Sequence, residues 1–214
     1  MVAQPHDMAP LPAMSDPNIS RLKAVRLATR ALATLSDELD ETLGLGVWGN
    51  NGPTIVRWEE ATQPVSENLQ TGLVLPILAS ATGLAFAAWL PSALTTTLIA
   101  QELAEESEEN IVQEQVQLVH RLSQIRANGM VSITGTDEFQ DLYGTKISAL
   151  SVPVFGQDGS MVLALTAIGA PESLDVSESS SLVQGLRRCA LTLSKQLGAP
   201  LAPVVLNTLN QETK

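Results

Sequence analysis

The stretch LPILASATGLAFAAWLP, residues 75–91, is the centre of the least charged region of this 214-residue chain. No Asp, Glu, Lys or Arg occurs between Glu67 and Glu102. A membrane span needs about 20 mostly apolar residues, but Pro76 and Pro91 interrupt this one. No basic residue flanks the stretch to set an orientation across a bilayer. The pattern therefore favours a buried helix, opened by the small residues ASATG, over a membrane span.

Composition and charge restrict the classes of function. Hydrophobic residues make up 44% of the chain, which is enough for a sizeable buried core. The net charge of −11, from 23 acidic and 12 basic residues, opposes binding to nucleic-acid phosphates or to an anionic membrane by this chain itself. The single cysteine, Cys189, excludes an intrachain disulfide and a multi-cysteine metal site. We therefore expect a cytoplasmic protein with no membrane partner.

Periodicity and turn signals predict the order of the secondary-structure elements. Helices are predicted where apolar residues recur every three or four positions: residues 19–43 ending at Gly44, 80–90, 92–103, a segment ending at Gly129, and 175–197. Strands are predicted beside strong turn signals: two runs around residues 50–53, then residues 65–69, 147–155 and 161–168, the last two flanking Asp158-Gly159. This order is typical of an α+β fold with a single antiparallel β-sheet flanked by helices.

Catalytic motifs are not found in the sequence. Glycine-rich nucleotide-binding motifs, nucleophilic serine motifs and metal-ligand spacings do not occur. Cys189 lies on the apolar side of a predicted helix, as a packing residue would, and the pattern around His120 indicates a structural or surface position. We therefore expect no catalytic residue, no metal and no cofactor. A small enzyme using Asp137 or His120 is the alternative.

Several segments, taken in order, resemble the C-terminal effector-binding domain of the IclR family of bacterial transcription regulators. That domain is similar in fold to GAF and profilin-like sensors. The segments that carry the resemblance are Leu-Pro and the small-residue turn within residues 75–85, Gly129, TDEF at 136–139, LSVPVF at 150–155, Asp158-Gly159 and Gly169. The resemblance covers residues 19–199, as an effector-binding domain that includes an N-terminal linker helix. Residues 1–18 and 200–214 are expected to be flexible tails.

The resemblance implies a small-molecule pocket between the sheet and the turn that opens the central helix. The positions matching the family's ligand-binding sites are Ala81, Thr82, Gly83, Asp137, Ala149, Thr166 and Ile168. Free N–H groups in a helix's first turn favour a carboxylate, so the backbone of Ala81 and Thr82 would donate to one. The alternative is that ASATG only lets a helix pack closely on the sheet.

Three departures from the family pattern bear on the ligand. Leu84 stands where a lysine is common, Ala149 where a polar residue or cysteine is, and Ile168 where serine is frequent. The implied pocket is less polar than usual, which favours a larger or aromatic organic acid. The loop over residues 141–146 is about two residues longer, which leaves the position of Asp137 open.

The resemblance also implies partners. Family members form homodimers or homotetramers and read DNA through a winged helix, for which residues 1–18 are too short. DNA contact is therefore expected only through a winged-helix domain missing from this chain. The alternative is a stand-alone GAF-like ligand-binding or interaction module that does not act on DNA. The first predicted helix has an unusual charge order: four basic residues (Arg21, Lys23, Arg26, Arg30) precede four acidic ones (Asp37, Glu38, Asp40, Glu41).

Overall fold

Five strands form one antiparallel sheet with helices on both faces. The computed structural model describes residues 17–106, 111–136 and 144–200. The strands are β1 (Thr42–Gly49), β2 (Gly52–Glu59), β3 (Val131–Thr136), β4 (Ile147–Phe155) and β5 (Met161–Gly169). The helices are α1 (Pro17–Leu39), α2 (Ala81–Trp89), α3 (Ser92–Glu106), α4 (Ile111–Asn128) and α5 (Ser181–Gln196). The predicted α+β class with one antiparallel sheet is confirmed.

The strand order in the sheet is β2-β1-β5-β4-β3, so β5 lies at the centre. Side chains alternate between the two faces of β5. Leu163, Leu165 and Ala167 belong to a leucine-rich core beneath α1 and α5. Ala164 and Ile168 belong to a second core beneath α2 and α4. The sheet therefore separates two hydrophobic cores, and α2 lies over the second of them. No helix in the described ranges is long and apolar enough to cross a membrane.

The end of α1 differs from the prediction. The helix ends at Leu39, not at residue 43, because Asp40 adopts a left-handed conformation with φ of 53°. Aspartate tolerates this conformation better than most residues. Gly44, which the sequence suggested as the helix terminator, instead lies within β1 opposite Trp58 of β2. The chain can therefore turn from α1 into the sheet within three residues.

The prediction for the region after β2 was wrong. Residues 65–69 do not form a strand. The segment that lies along β2 comes later, where Thr54 bridges to Val74 and the N–H of Leu75 donates to Pro53 O. This short bridge covers the outer edge of β2.

The strand β3 was not predicted. Its sequence VSITGT alternates in the way expected of an edge strand, with Val131 and Ile133 buried and Ser132 and Thr134 exposed. The last helix also begins later than residue 175. It starts at Ser181 because the Ser180 hydroxyl accepts from the N–H of Val183 and caps it.

Three other predicted boundaries agree with the structure, whereas α1 begins at Pro17, within the predicted tail, and α3 continues to Glu106. α2 begins after Ser80 and ends before Leu90, and α4 ends at Gly129, which has φ of +70°. The hairpin of β4 and β5 turns at Asp158-Gly159, where the Asp158 carboxylate accepts from both the N–H and the hydroxyl of Ser160. These turns depend on local sequence, which explains why the sequence predicted them.

Candidate functional site

The first turn of α2 lies above the middle of the sheet and covers a narrow cavity. Its volume is about 10 Å³, room for about one water molecule. Its walls come from α2, from the segment before it, and from β2, β4 and β5. The lining residues are Trp58, Leu75, Ser80, Ala81, Thr82, Ile147, Ala149, Thr166 and Ile168.

Two glycines of β1 allow α2 and Trp58 to approach the sheet. A Cβ atom on Gly46 would lie 2.6 Å from Cγ2 of Thr82, and a Cβ atom on Gly44 would lie 2.6 Å from Cζ3 of Trp58. Real Cβ atoms essentially never come that close to another heavy atom. The sequence LGLG therefore sets the depth at which the first turn of α2 and the Trp58 ring can sit.

Two backbone N–H groups at the start of α2 are free to donate hydrogen bonds to a ligand. Ser80 caps the helix, because its hydroxyl accepts from the N–H of Gly83 at 2.8 Å and its carbonyl from the N–H of Leu84 at 2.9 Å. Within the described ranges, no acceptor is found for the N–H groups of Ala81 and Thr82. Unpaired N–H groups at a helix start carry partial positive charge, which attracts an anion.

A chain of three buried hydroxyls joins α2 to the sheet below the cavity. The oxygens of Thr82 and Thr166 are 2.8 Å apart, and Thr166 donates to Ser151 at 3.0 Å. Thr166 and Ser151 face each other in the register of β5 and β4. These hydroxyls supply polar atoms without formal charge, and none of the described residues that line the cavity carries a charged side chain.

Trp58 forms an aromatic wall of the cavity. Its side chain is largely buried, and its indole Nε1–H donates to Gln70 O at 3.2 Å. That hydrogen bond satisfies the only polar group of the ring and holds its orientation. Leu75, Ile147 and Ile168 add apolar surface, so most of the lining suits a flat apolar group.

Charged side chains outside the cavity hold the end of α2 and the segment that leads into it. The Glu102 carboxylate of α3 accepts from the N–H groups of Ile77 and Leu78, at 2.5 and 2.8 Å. At the other end, Arg126 of α4 donates to Ala88 O at 2.9 Å. Hydrogen bonds with a charged partner are stronger than neutral ones. α4 therefore holds the end of α2, and α3 holds the segment that leads into it.

The structure brings five of the seven predicted site residues together at the cavity: Ala81, Thr82, Ala149, Thr166 and Ile168. Gly83 does not line it. A Cβ atom there would overlap Pro76 O and the backbone of Ile77, so this glycine permits close packing of the chain. This close contact is with the segment before α2 and not with the sheet, which differs from the alternative interpretation of ASATG. Asp137 lies outside the described residues.

Sequence reasoning missed four of the lining residues: Trp58, Leu75, Ser80 and Ile147. Ile147 could have been found, because it lies two positions before Ala149 on the same face of a strand. Ser80 has the signal of a helix cap. Trp58 and Leu75 carry no local signal, since only the pairing of β1 with β2 and the bridge to β2 bring them to the cavity.

The other two candidate side chains lie away from the cavity. Cys189 is half-buried on α5 and packs against the leucine-rich core on the opposite face of the sheet. Burial, and to a lesser extent the negative charge of Glu38, raises the pKa of its thiol to about 11. His120 is exposed on α4.

Comparison with known proteins agrees with the observed fold and relates the chain to a family of transcription regulators. The sequence model of the family described as "Bacterial transcriptional regulator IclR C-terminal" matches residues 17–195. The crystal structure of HmgR from Pseudomonas aeruginosa is similar, with 32% identity and a TM-score of 0.71. The match covers 86% of this chain and 72% of that one.

Two further relatives are more distant. A crystal structure described as an IclR homolog complexed with 4-hydroxybenzoate, from Microbacterium hydrocarbonoxydans, has 19% identity and a TM-score of 0.64. The match covers 83% of this chain and 69% of that one. Among curated proteins, "Uncharacterized HTH-type transcriptional regulator RhmR" of Escherichia coli (strain K12) is 23% identical over 180 residues, which are 84% of this chain and 67% of that protein.

Proposed function

Because the chain belongs to the IclR family of bacterial transcription regulators and matches their C-terminal effector-binding domain, we propose that it senses a small organic acid in the cavity beneath α2. The family consists of regulators and not of enzymes. The acid would act as an effector that changes the activity of the whole regulator in the cytoplasm.

The observation that carries this proposal is the combination of free donors and a neutral lining. The N–H groups of Ala81 and Thr82 have no acceptor within the described ranges, and both residues line the cavity. A carboxylate would accept from both. None of the described side chains that line the cavity is acidic, so none of them would repel the anion.

The walls favour an acid with one aromatic ring. Trp58, Ile147 and Ile168 offer apolar contact to a flat ring, while the Thr82–Thr166–Ser151 hydroxyls offer partners for a second polar group. The cavity as it stands has a volume of only about 10 Å³, far below the roughly 300–1,000 Å³ typical of small-molecule sites. Binding a single-ring acid would therefore require the walls of the cavity to move apart. The related structure with 4-hydroxybenzoate supports this class of ligand.

Ligand binding would act on the regulator by changing how copies of the chain associate. A carboxylate on the first turn of α2 would strengthen the position of this helix over the sheet. We propose that the chain forms a homodimer or homotetramer and that the ligand changes the arrangement of its subunits. DNA would be contacted through a winged-helix domain and not through this domain. Such coupling requires that the ligand bind one arrangement more tightly than another.

The test compares an acid with its neutral analogue. We expect 4-hydroxybenzoate to raise the melting temperature of the protein, and 4-hydroxybenzamide to raise it much less, because the amide lacks the negative charge. Substituting Ala81→Pro removes one N–H donor at a position where helices tolerate proline, so the effect of the acid should fall. Ser181→Pro makes the same change at the first position of α5 and should leave it intact. Equal stabilisation by acid and amide would contradict the proposal.

A further inference from the structure

The outer face of α1 carries a charged stripe that has no partner in the described part of the chain. Ala24, Ala28, Leu32 and Leu35 bury the inner face against the sheet. The outward stripe follows helical spacing and consists of exposed residues: Lys23, Arg26, Arg30, Thr34, Asp37 and Glu38. Its first half is basic and its second half is acidic.

This charge order is unfavourable for an isolated helix. Basic residues near a helix start and acidic residues near its end both oppose the helix dipole. The described ion pairs, Arg57–Glu59 and Arg187–Glu178, do not involve the stripe. The nearest opposite charges of the stripe, Arg30 and Asp37, are seven residues apart, about 10 Å along the helix axis, and no described ion pair joins the two halves. Local helix stability therefore does not explain the stripe.

We propose that α1 pairs antiparallel with α1 of a second copy of this chain. A two-fold axis between residues 31 and 32 would place Arg26 of each copy opposite Asp37 and Glu38 of the other. Arg30 would lie beside the small residues Ala33 and Thr34, within reach of the same carboxylates. This inference deepens the self-association proposed above, and rests on it, by naming the surface.

Charge supports a second copy as the occupant. The stripe is self-complementary in charge, since reversing its direction exchanges the basic half for the acidic half. Duplex DNA fits less well, because its phosphates would attract Arg26 and Arg30 but repel Asp37 and Glu38.

The experiment uses two charge-reversed forms of the whole chain. Arg26→Glu with Arg30→Glu makes the stripe acidic over most of its length, and Asp37→Arg with Glu38→Arg makes it basic throughout. Self-association is measured by sedimentation equilibrium at about 50 mM and about 500 mM NaCl, because salt screens exposed ion pairs. All four residues are exposed, so unchanged melting temperatures are expected to show that both forms fold. Arg121→Glu, an exposed charge reversal on α4, is the matched control.

We expect each reversed form alone to self-associate about tenfold or more weakly at low salt, since several ion pairs become repulsive at once. An equimolar mixture of the two forms should associate within about threefold of the natural chain, because each half of one stripe then meets the opposite charge. Arg121→Glu should have no effect.

The result that overturns the inference is self-association that neither reversed form weakens, or that the mixture does not restore. Either result leaves the binding of organic acids, and self-association through another surface, intact. A natural chain that stays monomeric would overturn both this inference and the proposed self-association. Binding of duplex DNA by the natural chain that the Arg26→Glu, Arg30→Glu form loses, without loss of self-association, would identify nucleic acid as the occupant instead.

Discussion

The hydroxyl oxygens of Thr82 and Thr166 lie 2.8 Å apart, although the residues are separated by 84 positions in the sequence. This contact joins the first turn of α2 to the central strand of the sheet. Because Thr166 also donates to Ser151, three buried polar groups depend on one another. The contact places hydroxyls directly below the backbone donors of Ala81 and Thr82, and so defines the floor of the cavity.

Removing the middle hydroxyl should destabilise the fold. In Thr166→Val the shape of the side chain is nearly kept, but the hydroxyls of Thr82 and Ser151 lose their partner. A buried polar group left without a hydrogen bond costs about 1–3 kcal/mol, so the free energy of unfolding measured with urea should fall by about that amount. Thr192→Val, at an exposed position of α5, should change it by less than about 0.5 kcal/mol. Equal effects at the two positions would contradict the role given to the hydroxyl chain.

Adding one methyl group to β1 should displace α2. In Gly46→Ala the new Cβ atom would lie 2.6 Å from Cγ2 of Thr82. Overpacking of this kind costs about 1–3 kcal/mol, measurable by urea unfolding, and should also weaken the effect of the acid. The second change Thr82→Ser removes the clashing methyl group and keeps the hydroxyl. The double variant should therefore recover most of the loss; no recovery would show that Gly46 matters for another reason.

Neutralising Glu102 should loosen the segment that leads into α2. Glu102→Gln keeps one acceptor oxygen but loses the charge that strengthens both hydrogen bonds from Ile77 and Leu78. We expect a loss of about 1–2 kcal/mol in the free energy of unfolding and faster hydrogen exchange at these two amides. Glu172→Gln removes an exposed carboxylate and serves as the control. Unchanged exchange at Ile77 and Leu78 would argue against an anchoring role.

The Cys189 thiol should make stability depend on pH in the alkaline range. Its pKa is raised from 9.0 to about 11, mainly by burial. The unfolded chain therefore loses this proton at lower pH than the folded chain does. Its contribution to stability is fully present below pH 9 and is lost as the pH rises through 11. The difference in unfolding free energy between the natural chain and Cys189→Ala should fall over this range. A difference in unfolding free energy that stays constant from pH 8 to 11 would contradict the raised pKa of Cys189.

Parts of the fold that depend on local signals could be predicted from the sequence. The Asp158-Gly159 hairpin, the cap of α2 at Ser80 and the helix end at Gly129 follow from the conformations that these residue types prefer. Five lining residues of the cavity were found through the order of the motifs, although their role in binding a ligand stays a prediction. Asp137 lies outside the described residues, so its place at the site also stays a prediction.

Other parts could not be predicted because long-range contacts decide them. Gly44 is a residue type that often follows the end of a helix, yet α1 ends at Asp40. The glycine instead lies in β1, where the absence of a side chain leaves room for the Trp58 ring. β3 is a six-residue edge strand, too short for its alternation to stand out against the following acidic residues. Trp58 reaches the cavity only because β2 pairs with β1 in one register.

The sequence by itself determined the class of the fold, most of its helices and the β4–β5 hairpin, and it predicted the helix turn at which an anion would bind. Residue types set backbone conformation and amphipathic periodicity locally, and those are properties of neighbours in the chain. Only the tertiary structure decided how deep that turn lies, which ring and hydroxyls surround it and how large the cavity is. These depend on close contacts such as Gly46 with Thr82 and Thr82 with Thr166, between residues far apart in sequence whose packing no local pattern encodes.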